Sequence, residues 1–289
     1  MTALLAAVLA LSTLAAQAPA SQATAAKEPP PAGEVEGVVV TAPRPEVIRS
    51  FVEQLSVEAT GVDQLGRWDR KICPGVTGAK PKYAQLINDR IAMAAYSVGL
   101  DVGEPGCRAN ILIVLTDDGN KVARELVTNY PRVMDKHGEA HTRGRRALKE
   151  FVETPRPVRW WHVSQTVTAD GMPVQRGGEV AVRGGGRVSR NVRQDFHHQI
   201  IIVDVARGGP KPLAALADYV AMVALAQIDP KARTERFETI LNLFANADAP
   251  TALTEWDRRY LKGLYEASRE ARNVRVQEKA IARELRGRN

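Results

Sequence analysis

The chain has 289 residues, 44% of them apolar and 25% charged, with a net charge of +7. That is the make-up of a globular protein with enough chain for one substantial core, and it excludes a disordered, collagenous or multi-span membrane protein. Residues 1–26 carry no charged side chain, so the positive charge belongs wholly to residues 27–289. In an exported protein such a charge suits anionic envelope surfaces, or solubility alone, before nucleic acid.

Leu4 to Ala16 is an uncharged apolar run followed by small residues. It has the length of a signal-peptide core and is shorter than a membrane-spanning helix. No Lys or Arg precedes it, so the charge ahead of it is the α-amino group alone. Cleavage after Ala23 is expected, since Pro19 disfavours cleavage after Ala18. The signal is assigned to residues 1–23 and the chain to the periplasm or the exterior, with no membrane span. Residues 24–45 form a Pro-rich linker. In an oxidising compartment Cys73 and Cys107 are expected to pair, because two cysteines without Cys-x-x-Cys or matching His spacing suit neither a redox centre nor structural zinc.

Within the linker, Gly37-Val-Val-Val-Thr-Ala-Pro-Arg44 resembles the TonB-box-like segment of outer-membrane TonB-dependent transporters. There an extended peptide adds a strand to an energising partner. Only these eight residues match, and the same Val38–Thr41 stretch suits a tether or an edge strand.

One folded domain is expected over residues 46–265. Glu46–Glu58 reads as a helix with Val47, Phe51, Val52 and Leu55 on one face. Lys82–Val98 reads as a second, with a stripe of Tyr83, Leu86, Ile87, Ile91, Ala94, Ala95 and Val98 that Gly99 ends. Asn110–Leu115 is an apolar run suited to a strand buried on both faces, and residues 120–129 come next as a helix. The basic block Arg143, Arg145, Arg146, Lys149 precedes Trp160 and Trp161. Cations with aromatics suit a nucleic-acid or glycan platform; a solvated helix followed by core tryptophans suits them as well. His162–Thr168 alternates and ends in Ala-Asp-Gly171, a strand and hairpin signal. Gly184–Gly186 lacks the context of a phosphate loop, and Gln199–Val205 is the second buried strand.

The apolar helix 213–227 comes after that strand. It is succeeded by Thr239–Phe244 and the stretch Leu253-Thr-Glu-Trp-Asp-Arg-Arg-Tyr-Leu-Lys-Gly-Leu-Tyr265. This order resembles the zincin-like fold of metallopeptidases and is more closely similar to a bacterial family of poorly characterised exported proteins with that fold. Leu253, Thr254, Asp257, Leu261, Leu264 and Tyr265 meet the family's closing pattern. The resemblance implies an α/β (α+β) domain with a small mixed sheet and flanking helices. It also implies an active-site helix at 213–227.

A zincin helix carries His-Glu-x-x-His, whose two imidazoles reach one zinc while the Glu activates water. The corresponding stretch here is Asp218-Tyr219-Val220-Ala221-Met222. Asp218 is able to ligate a metal; Tyr219 cannot act as the carboxylate base. The remaining metal candidates are His162, His197 and His198, with Asp195 as a partner. His197 and His198 are adjacent on a strand and expected to face opposite sides. Residues 266–289 are expected to be a charged, solvated helical tail.

The expectation is therefore an exported, non-catalytic binding or accessory module of the cell envelope with no cofactor, whose partner is an envelope protein or an anionic envelope surface rather than nucleic acid. Two alternatives stand beside it. One is a divergent metal-dependent hydrolase using Asp218, His162, His197 or His198; the other is a TonB-linked accessory factor acting through Val38–Thr41.

Overall fold

The computed structural model describes residues 44–138, 140–174, 191–245 and 247–287. The expected export signal, almost all of the expected linker with Val38–Thr41, and Gly184–Gly186 lie outside the described residues. A proline starts helix α1 (Pro45–Leu55), where a missing N–H costs nothing. Its inner face is Ile48, Phe51, Val52 and Leu55; Val47, expected inside, is exposed.

Strand β1 (Pro74–Thr77), helix α2 (Pro81–Ser97) and strand β2 (Ile111–Thr116) form a parallel β-α-β unit. Gly99, at φ +77°, ends α2. Cys73 and Cys107 are disulfide-bonded, with Cα atoms 6.1 Å apart. Next to the bridge the amide of Asn110 donates to the Cys73 carbonyl at 3.0 Å, so the entries of β1 and β2 are held together. β1 has no signal in the sequence: four residues opening with Pro-Gly carry no strand periodicity.

After β2 come α3 (Gly119–Asn129) and α4 (Gly144–Glu153). Next is a long hairpin of β3 (Val158–Thr168) and β4 (Val192–Asp204). The four strands among the described residues form one mixed sheet in the order β1-β2-β4-β3, with β3 antiparallel to β4 and the other pairs parallel. Alternation along β4 divides two cores. Ile201 and Val203 join Ile111, Ile113 and Trp160 on the face covered by α1, α2 and the C-terminal helices. Ile200 and Ile202 join Trp161, Val163, Ala123, Leu148 and Phe151 on the face covered by α3 and α4. Both tryptophans are thus interior, at 7% and 3% exposure, and unavailable for stacking on a base or sugar.

Beyond a single turn, α5 (Val205–Gly208), runs α6 (Leu213–Leu225), which is buried at every position from Ala215 to Leu225. A helix apolar on all sides has to be enclosed on all sides. A 3₁₀ turn (Ile240–Asn242) and α7 (Glu255–Glu266) help to enclose it. α7 opens with a capping box, in which the Thr254 side chain accepts from the Asp257 amide at 3.1 Å and the Asp257 carboxylate accepts from the Thr254 amide at 2.9 Å. Asp257 also accepts from the Ile240 amide at 2.8 Å, so one buried carboxylate joins the 3₁₀ turn to α7.

The expected solvated tail is instead a docked helix, α8 (Val274–Arg286), which packs on α7 and α1. Val274, Gln277, Ile281 and Leu285 form its inner row, spaced three and four apart. The Gln277 side chain accepts from the Leu65 amide at 2.7 Å. The abundance of charge between these positions hides the stripe in the sequence. Contact with α7 is close enough that a Cβ on Gly263 would lie 2.7 Å from the Cα of Ile281. Gly263→Ala is therefore expected to destabilise the protein by about 1–3 kcal/mol through overpacking. Helix propensity alone would favour the alanine by about 1 kcal/mol. Urea unfolding decides the sign; a more stable variant would show that α8 is not seated on α7.

Candidate functional site

The buried C-terminus of α6 explains most of the chemistry that stands out in the sequence. The last carbonyls of a helix have no partner within the helix, and here water cannot reach them. Three side chains from three other segments supply partners instead. His162 Nε2 lies 3.1 Å from the Val223 carbonyl, Trp68 Nε1 donates to Ala224 at 2.8 Å, and the Tyr265 hydroxyl donates to Leu225 at 2.8 Å. A carbonyl only accepts, so His162 carries its proton on Nε2. Its ring stacks on Phe196 at 5.0 Å between centroids. Burial, opposed by the bond to Val223, brings its pKa down to about 4, so it is neutral at physiological pH.

Asp218, the one α6 side chain with metal-ligand chemistry, is also engaged. Arg90 of α2 meets it with both arms, Nε 2.8 Å from Oδ1 and Nη2 donating to Oδ2 at 2.9 Å. The amide of Leu253 donates to Oδ2 at 2.9 Å as well. The carboxylate ties α6 to α2 and to the segment that enters α7. Tyr219 lies in the core against Trp160 and Phe244, and burial pushes its phenol above the ordinary range. His162 therefore reaches α6 at Val223, not at Asp218. Asp195, its other expected partner, pairs in register with Gln165 and is held by Arg193 Nε at 3.1 Å. Arg193 also pairs with Asp69, which takes a further ion pair from Arg269.

The structure corrects the expectation for His197 and His198. The register shifts from Val163 opposite His198 to Ser164 opposite Phe196, so His197 is the extra residue of a β-bulge. The bulge cancels alternation, and the two rings meet at Nδ1···Nδ1 2.7 Å. His198 Nε2 lies 2.6 Å from the Val133 carbonyl, so in the neutral pair His198 Nδ1 accepts and His197 Nδ1 donates. Two imidazoles on one tetrahedral zinc would hold their nitrogens about 3.3 Å apart; 2.7 Å is a shared proton. Burial lowers the pKa of both rings, and Arg70 adds to the effect at each. Among the described residues no three His, Cys, Asp or Glu side chains gather as a metal site.

The chain matches no family model, no curated protein and no solved structure.

A groove that the sequence does not disclose lies where β1, β2 and β4 end. Its volume is about 670 Å³, the size of a small-molecule site. Leu115, Val205, Leu213 and the half-exposed Tyr83 provide its apolar walls, while Lys80 and Asp117 stand at its polar side. Gly78 forms part of the wall with φ +80°, and a Cβ there would sit 2.0 Å from the Leu115 carbonyl, so no other residue lets the chain leave β1 this close to β2. In open sheets with parallel strands, ligands gather at the carboxyl ends of the strands. Helical periodicity places Tyr83 in the core stripe of its helix; the fold turns it to the groove instead. The usable signal is positional: a strand, a glycine turn and the first turn of a crossover helix.

The neutral buried state of His162 sets a pH dependence. Its folded pKa, about 4, is below the ordinary 6.5, so its contribution is fully present above pH 6.5 and is lost as pH falls towards 4. The loss amounts to about 3 kcal/mol. Urea unfolding at neutral and acid pH measures it. His162→Gln, which keeps an N–H for Val223, is expected to remove this part of the slope; parallel curves for the two proteins would contradict a buried neutral ring.

Proposed function

We propose that this protein is an exported, non-catalytic binding or accessory module of the cell envelope, carried on a degenerate metallopeptidase-like domain, with its ligand in the groove at the carboxyl ends of β1, β2 and β4. The observation that carries the proposal is the state of Asp218. The α6 side chain best suited to a metal is closed off by Arg90 and the Leu253 amide. Activating it would require breaking an ion pair buried on one side, at a cost of several kcal/mol. β4 leading through a short break into α6, with Thr254, Asp257 and Tyr265 working in the closing helix, supports kinship with the zincin-like family. The Cys73–Cys107 bridge supports an oxidising compartment. No helix among the described residues is long and apolar enough to cross a membrane.

The walls of the groove suit an apolar or aromatic body against Tyr83, Leu115, Val205 and Leu213, with an anionic group at Lys80 rather than at Asp117. The first turn of α2, whose cap residue is Lys80 itself and offers no side-chain acceptor, adds partial positive charge on the same side. The fluorescent probe 1-anilinonaphthalene-8-sulfonate has this chemistry. It is expected to bind saturably with one-to-one stoichiometry, and Val205→Trp, which fills the groove, is expected to abolish binding. Equal binding to both proteins would remove the groove from the proposal.

The metal-dependent alternative rests on the two imidazole nitrogens that converge at the β4 bulge, which would have to move apart to admit zinc. Zinc calorimetry on the mature protein separates the two. The binding-module proposal predicts no stoichiometric site at micromolar zinc. A one-to-one site lost in His197→Ala and His198→Ala would overturn it in favour of a hydrolase.

A further inference from the structure

The second core contains a guanidinium that forms no contact ion pair among the described residues, although the carboxylates of Asp204 and Asp118 act on it from a distance. Arg159 leaves the edge strand β3 and is 2% exposed. Its Nη1 donates to the Phe151 carbonyl at 2.8 Å and more weakly to that of Val152 at 3.3 Å, which caps the end of α4. Its Nη2 donates to Asn120 Oδ1. These acceptors are neutral, and its buried Nε has no hydrogen-bond partner among the described residues.

Arg159 lines a cavity of about 30 Å³ between β3, α4 and Pro230. Arg143 and Arg156 line it too. Arg143 is paired with Asp229 at 3.0 Å, whereas Arg156 bonds only the Pro230 carbonyl. The one carboxylate at the cavity, Glu150, is held by Lys231 at 2.7 Å and lies 3.4 Å from Arg146. The groups that line the cavity are therefore positive in balance, and two of its three guanidiniums form no contact ion pair among the described residues; Asp204 and Asp118 offset Arg159 only from outside the lining. Apolar walls from Phe151, Trp160 and Trp161 lower the local dielectric, which raises the cost of unbalanced charge.

We propose that this cavity binds one small inorganic anion of chloride's size, held between Arg159, Arg156 and Arg143. The volume decides the class. Such a space takes about two waters or one monatomic anion. The site lies on the β3 side of the sheet and does not depend on the groove or on its ligand.

Two measurements test the proposal. Melting temperature is compared in sodium chloride and sodium gluconate at equal ionic strength, because gluconate is too large to enter. Chloride is expected to raise it in a saturable manner. Chloride NMR line broadening by the protein is expected to fall severalfold in the half-exposed variant Arg156→Gln and to stay unchanged in the remote variant Lys211→Gln. Equal melting in the two salts, or broadening unaffected by Arg156→Gln, would overturn the site. Should Arg156→Gln fail to fold, wild-type crystals grown in bromide decide the matter. An anomalous peak beside Arg159 supports the proposal, and a cavity holding water alone refutes it.

Discussion

Enclosing the C-terminus of α6 is the constraint on which this structure rests. A helix that ends inside a core leaves carbonyls that neither the helix nor water can satisfy, at a cost of about 1–3 kcal/mol each. The sheet supplies His162, the loop after α1 supplies Trp68, and α7 supplies Tyr265. Each donor has to arrive with its backbone already in place, so the three bonds fix the positions of β3, of the loop and of α7 around one point. Asp218 does the same for the sides of the helix by joining α2 and the entry to α7.

The same solution recurs at two other helix ends. Arg67, brought down to about 10 by burial, donates to the Ala267 carbonyl at 2.9 Å and to those of Leu264 and Tyr265, closing α7. Arg159 closes α4. Long polar side chains from distant segments thus stand where a C-terminal glycine and solvent serve most helices. An apolar core alone would tolerate several arrangements of its helices, since hydrophobic burial has no direction. Directed bonds to buried carbonyls favour the one arrangement in which these helix ends are satisfied.

This economy accounts for the residues that attract attention in the sequence. His162 and Asp218 look like the remnants of a metal site, and in the fold they are a helix cap and a clamp. Tyr265 and Asp257 stand out in the stretch 253–265; in the fold they serve α6 and the 3₁₀ turn. The residues that line the open groove are of another kind: Tyr83, Val205 and Lys80 at the strand ends, each unremarkable in the sequence. A groove is a property of where elements stop, which no single residue announces.

Local regularities were legible in the sequence. The periodicity of 82–98, the apolar runs at 111–115 and 200–203 and the strongly apolar stretch at 213–225 each dictate their element through backbone geometry and side-chain placement within a few residues. The cysteine count sufficed for the disulfide. Tertiary structure alone decided the rest, and the reason is the same each time. β1 exists because β2 gives it a partner, and α8 is a docked helix because Gly263 lets it approach. His197 and His198 meet because one residue too many faces β3. Asp218 is closed off because Arg90 lies one helix away. These outcomes depend on groups far apart along the chain, and the local physics of a sequence carries no term for them.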